Sequence, residues 1–291
     1  MAVTASMVKE LRERTGAGMM ECKRALVETN GDLESAVEHL RKSGLAQADK
    51  KASRIAADGR VMLASNDDNS EAVMVEINCE TDFVAKDVNF LTFAKVVADN
   101  ALAMNSTDVE TLMATEVDGV SLEVTRQALV SKIGENVQVR RISRLATSNN
   151  IGAYVHGGRI GALVEIKGGD GELAHDVAMH VAALNPEYID VDSVPADVLE
   201  KEKQFLISQA ADSGKPAEII EKMVSGRMRK HLSAITLLGQ DFVKDGDVTV
   251  AKLLEKNGAS VTGMTRLAVG EGIEKKEDNF ADEVMQQVKG G

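Results

Sequence analysis

Twenty-one consecutive residues, Met74 to Ala94, find a second image of themselves at Leu163 to Ala183 when the chain is shifted by 89 positions without a gap. Val75, Glu76, Ile77, Ala85, Asp87, Val88 and Ala94 meet identical residues at Val164, Glu165, Ile166, Ala174, Asp176, Val177 and Ala183. Internal repetition constrains the fold before any other feature, because each copy must be one supersecondary unit that buries its apolar face against a neighbour. The unit reads as strand, tight loop and helix. Val73, Val75 and Ile77 alternate with Met74 and Glu76 at the period of a strand, and Asn78 to Asp82 are short polar residues that favour turns. Phe90, Ala94, Val97 and Ala101 then follow at helical spacing. The copies part at the loop, where Asp82 and Phe83 face Gly171 and Glu172. A loop aromatic either tucks under its own helix or projects toward a partner. A framework that needed a buried ring would want one in both copies, so the contrast favours projection.

The rest of the chain fits around this duplication as an α+β protein with helices laid on small antiparallel sheets. Residues 1–55 predict three short helices: one capped by Thr4 and ended by Gly16, one from Met19 to Thr29, and one capped by Asp32 and stopped by Gly44. Lys50, Lys51 and Arg54 then read as a linker. Residues 56–146 form the first copy, with a hairpin of strands 60–65 and 71–78, the helix after Asp87, a poorly patterned stretch, a helix from Ser121 to Gly134 and a strand 137–143. The second copy, 147–190 and 235–272, uses strands 152–156, 160–167 and 260–269. Between its two parts, residues 191–234 read as an inserted helical hairpin with a Ser-Gly-Lys-Pro corner, an arm too thin for a core of its own. Residues 273–291, with Phe280 and Val284, predict a C-terminal helix.

Composition narrows the chemistry. A formal charge of -12 opposes direct nucleic-acid binding, which draws on clustered Lys and Arg, and the absence of Trp removes stacking platforms. A protein partner fits better. No run of about 20 apolar residues suits a membrane, and the N-terminus lacks the apolar core of a signal peptide. Cys22 and Cys79, far apart in sequence, suit a reducing compartment, so the expected location is the cytoplasm.

Catalytic and cofactor motifs are not found. Gly214 and Lys215 have Gln209 and Pro216 where a phosphate loop needs Gly and Ser or Thr. The HGGRIG run after Val155 and the Gly168 to Gly171 run read as turns. His175 and His180 are five apart and miss a shared helical face, so no metal site or cofactor is expected. Cys79 lacks a cationic neighbour in sequence and reads as a structural thiol. His156, before a glycine turn, is by itself an ordinary surface histidine.

Two stretches carry a resemblance. LRERTGAGMMECKRAL, from Leu11 to Leu26, and EINCETDFVAK, from Glu76 to Lys86, resemble the two signatures of the elongation factor Ts family, the nucleotide-exchange factors of the GTPase elongation factor Tu. The likeness runs from the first helices to the last acidic segment. It implies a ubiquitin-associated-like fold for the three-helix head and a coiled-coil identity for the arm. It also implies that the loop Thr81, Asp82, Phe83 and Val84 displaces magnesium from the GTPase and distorts its phosphate site, so that GDP leaves and GTP rebinds. Met19, Met20, Cys22 and Lys23 of the head and His156 become further contacts with elongation factor Tu. Whether the arm dimerises the protein stays open, as does a simpler reading in which the head alone serves a protein-binding adaptor.

Overall fold

The computed structural model describes residues 3–211 and 216–274, so the expected C-terminal helix and the Ser-Gly-Lys part of the arm's corner lie outside the described residues. Three helices lead: α1 (Ala5–Thr15), α2 (Met19–Glu28) and α3 (Leu33–Lys51). Their starts follow from hydroxyl and carboxylate caps, as Thr4 accepts from the Met7 amide and Asp32 from that of Ser35. Leu11, Cys22, Ala25, Leu26 and Ala36 close their core. Gly44 does not stop α3, which continues to Lys51 across the expected linker. The glycine lies where α3 crosses the later helix α6 (Leu122–Ile133), and a Cβ there would meet the Ser131 side chain at 3.5 Å. Close helix packing, rather than a chain break, explains the small residue.

The first copy follows with β1 (Asp58–Ser65), β2 (Glu71–Cys79), a 3-10 turn (Val84–Lys86) and α4 (Val88–Ala103). The unpatterned stretch contains α5 (Val109–Ala114) and a two-stranded ribbon, β3 (Glu116–Val117) with β4 (Val120–Ser121), before α6 and β5 (Val137–Ala146). The second copy has β6 (Asn150–His156), β7 (Ile160–Lys167) and α7 (Gly171–Leu184). The arm is α8 (Ala196–Ala211) and α9 (Ala217–Ile235), after which come β8 (Asp241–Phe242), β9 (Asp245–Thr249), α10 (Val250–Lys256) and β10 (Ser260–Ala268).

Two antiparallel sheets of equivalent design result, in strand orders β1-β2-β5 and β10-β7-β6. Period-two alternation turns Val73, Val75 and Ile77 of β2 toward α4 and α6, and Ala162, Val164 and Ile166 of β7 toward α7. The opposite faces meet each other through Val61, Ala72, Met74, Ile151, Leu163 and Leu267, so the molecule is layered helix, sheet, sheet, helix. Gly161 sits at this seam, where a Cβ would come within 2.7 Å of both Met74 Sδ and Val61 Cγ1. Glu76 also faces the seam. It is fully buried, paired with Arg140 and Arg141, and accepts the Gly270 amide at 2.8 Å.

The two units share a three-stranded antiparallel sheet and a following helix, and they differ in where that helix begins. Val88 is 70% exposed whereas Val177 is fully buried, and Ala94 is buried whereas Ala183 is exposed. The cause is local: α7 starts at Gly171, capped by Asp170, whereas the first copy spends residues 80–87 on a loop before Asp87 caps α4. Gly171 and Glu172 therefore occupy a helical first turn rather than a second version of the loop. The arm also has a small core, contrary to expectation, in Leu206, Ala210 and Val224. Its base is closed by backbone bonds, with the Glu187 and Tyr188 amides donating to the Ile235 carbonyl and the Leu237 amide to that of Tyr188.

Candidate functional site: a braced loop with an exposed ring

Where β2 ends, Glu80 to Phe83 turn the chain and Val84 and Ala85 return it to the core. Those two buried residues anchor the turn while Phe83 stands 80% exposed in ordinary helical backbone, φ -65° and ψ -48°. The loop is held by a reciprocal clasp with the turn after α6. Glu135 accepts the Thr81 amide at 3.0 Å and its hydroxyl at 2.7 Å, while Glu80 accepts the Asn136 amide at 2.6 Å. Bidentate acceptance by a carboxylate fixes both the position and the tilt of the turn. Asp82 bonds Lys86 at 2.7 Å, and that bond, with a lesser contribution from Arg159, holds its carboxyl below the usual range. Cys79 lies directly beneath, donating to the Thr81 carbonyl at 3.1 Å. Burial first, then the Glu135 charge, pushes its thiol up to about 12, so it stays protonated and structural.

The second copy brings His156 to this neighbourhood. The turn that follows it reaches β1, with Arg159 bonded to Asp58 at 2.8 Å and Arg60 bonded to the Gly157 carbonyl at 3.0 Å. His156 is exposed, bonded through Nδ1 to the Tyr154 hydroxyl at 3.1 Å. The other two histidines of interest are spoken for within the fold: His175 donates to the Ala153 carbonyl, and His180 is buried between Gln240 and the Val243 amide. Among the described residues no group of three or more His, Cys, Asp or Glu is placed to hold a metal ion.

The head offers a separate surface. Met19 and Met20 are exposed and, with Lys23, Val8 and Arg12, line a hollow of about 440 Å³ between α1 and α2. Cys22 must be corrected: it is 0% exposed inside the head, its thiol facing the Ala17 carbonyl, and so supports this surface from within instead of touching a partner. Lys132 lies between the head and α4, against Gly16 and donating to Asn89 in the first turn of α4 at 2.7 Å. A larger cavity of about 1100 Å³ lies along the arm, but no residue of the loop or the head lines it. Glu135 and Arg60 carry no mark of the site in sequence, and Arg159 reads there only as part of a turn. Glu135 is 54 positions from the loop it holds, and no local pattern announces such a pairing.

What this geometry offers is a surface for contact, a bare aromatic ring on a braced loop. The chain matches the family model described as Elongation factor TS over residues 80–271. It is 62% identical over 292 residues to the Elongation factor Ts of Thioalkalivibrio sulfidiphilus, with 100% of each chain covered. Identity to that of Halorhodospira halophila is 56% over 289 residues, covering 99% of each, and to that of Alkalilimnicola ehrlichii 57% over 291 residues, covering 100% of each. Likeness at this level and over this length makes the chain a member of the elongation factor Ts family. Among the described residues no helix is long and apolar enough to cross a membrane.

Proposed function

We propose that this protein acts in the cytoplasm as the nucleotide-exchange factor of elongation factor Tu, binding its GDP complex and speeding GDP release so that GTP can rebind. The observation that carries the proposal is the 80% exposed Phe83 on a loop clasped by Glu135. A ring left in water by its own fold gains roughly 1.5–3 kcal/mol when a partner buries it, enough to move switch elements that hold the partner's magnesium. Thr81 and Val84 set the loop's two feet, and Asp82 brings a carboxylate toward the anionic phosphate site. Met19, Met20 and Lys23 form a second contact from the head, and His156 a third beside the loop. The exposed Phe205 and Ile219 of the arm are the side chains through which it would self-associate.

The test is release of fluorescent GDP from elongation factor Tu with and without this protein. Acceleration that depends on Phe83 is the expected result, and an unchanged release rate at saturating protein would overturn the proposal. An adaptor that binds only through the hollow of the head would keep its affinity for elongation factor Tu when Phe83 is replaced by Ala.

A further inference from the structure

The loop and the His156 turn belong to different repeat copies, yet one side chain bonds both. Arg60, on β1, donates from Nε to the Ala85 carbonyl at 2.9 Å and from a terminal nitrogen to the Gly157 carbonyl at 3.0 Å. Ala85 lies in the 3-10 turn directly behind Phe83, and Gly157 follows His156. We propose that Arg60 is a positioning residue that makes the Phe83 loop and the His156 turn a single docking unit. This deepens the exchange reading and rests on it.

Three features support that role. The guanidinium is a planar fork whose donors point in fixed, divergent directions, so it can satisfy two carbonyls at once, whereas an ammonium is a single point donor. The turn is shaped to admit it: a Cβ on Gly158 would fall 2.2 Å from the Arg60 nitrogen, and Gly158 has φ +71°, open to glycine at no cost. Finally, β1 is an edge strand, and its Val61 amide donates to the Gly158 carbonyl at 2.8 Å, which seats the turn on the sheet edge. The Val61 bond fixes the turn to the sheet, and Arg159 fixes it to Asp58. Among these ties Arg60 is the one that hydrogen-bonds the loop side, at the Ala85 carbonyl, whereas Arg159 reaches Asp82 by charge alone.

The consequence is a coupling that can be measured. When two contacts are held as one unit, losing the first already loosens the second, so the double replacement costs less than the sum. Full-length protein carrying Phe83→Ala, His156→Ala or both is titrated against nucleotide-free elongation factor Tu, first with Arg60 in place and then with Arg60→Met. Arg60→Met keeps much of the stem and removes both donors. With Arg60 present, the double variant is expected to bind roughly fivefold more tightly than additivity requires. With Met the two losses become additive, and Arg60→Lys gives an intermediate value. Additive losses with Arg60 present, or the same non-additivity after its removal, overturn the inference. Thermal unfolding checks each variant, and if Arg60→Met does not fold, Arg60→Lys carries the comparison, since it keeps the charge and loses the fork. Phe83→Ala alone separates the two readings. If the variant accelerates GDP release as well as the unmodified protein does, exchange through the Phe83 loop falls and takes this inference with it. If it slows release while the coupling ignores residue 60, only the role of Arg60 falls.

Discussion

Replacing Phe83 by Ala separates a wedge from an anchor. The ring is 80% exposed, so its loss should leave folding stability within about 0.5 kcal/mol and the unfolding midpoint nearly unchanged. In the proposed exchange complex the same ring would pass from water to a buried site, and removing it would forfeit up to about 1.5–3 kcal/mol, or roughly tenfold to 150-fold in affinity. Which complex suffers is the informative part. If this protein weakens GDP binding to elongation factor Tu by some factor, bound GDP must weaken this protein's binding by the same factor, because both routes close one cycle. A wedge, fully inserted only when nucleotide is absent, carries that coupling. Phe83→Ala should therefore weaken the nucleotide-free complex most and bring the two affinities together. The assay is a titration of both proteins against GDP-bound and nucleotide-free elongation factor Tu. Equal losses in the two, with the ratio preserved, would refute the wedge and leave Phe83 as a simple point of attachment.

Three more outcomes are expected. Exchanging Asp82 and Phe83 for the Gly and Glu found at Gly171 and Glu172 should preserve the fold, since Phe83 has ordinary helical backbone and faces water, while GDP release slows sharply; a collapse of the unfolding midpoint would mean the loop needs its ring for stability. Joining residue 190 to residue 235 by a short linker should leave GDP release largely intact, because backbone bonds already hold the base of the arm together at Tyr188; a folded product without exchange activity would move the site onto the arm. His180 accepts the Val243 amide at Nδ1, and burial depresses its pKa from the usual 6.5, so the unfolded chain takes up a proton that the folded one refuses. Its contribution to stability is complete above about pH 6.5 and is lost as pH falls below it. The unfolding midpoint should then decline between about pH 7 and pH 5 more steeply than in His180→Gln, and equal slopes would contradict this.

Local signals were readable wherever a residue's role is played out among its near neighbours. Thr4 and Asp32 cap the helices they are expected to cap, because a cap needs only the amides two or three residues ahead. The strand repeat was readable for the same reason, and with it the unusual place of Phe83. Roles set by distant partners were not. Gly44 carries the local mark of a helix end but answers to Ser131, and Cys22 lies in a motif whose surface it only underlies. Val88 and Val177 match as letters while one faces water and the other the core, since the loop ahead of α4 shifts where the helix begins. Glu135 and Arg60, which brace the site, bond groups that become neighbours only after the sheets have formed.

The seam between the two sheets bears on how the molecule opens. Val61, Met74, Ile151, Leu163 and Leu267 are all buried there, at roughly 1.5–3 kcal/mol each. Prising the sheets apart would thus cost about 7–15 kcal/mol, the whole stability of a typical domain, before the Gly270 bond to Glu76 is counted. A cost of that size disfavours a hinge between the sheets short of global unfolding, and amide protons at the centres of β2 and β7 are then expected to exchange through one and the same opening. A body joined in this way is expected to dock as one block, so that in the complex proposed above the yielding would fall to the partner.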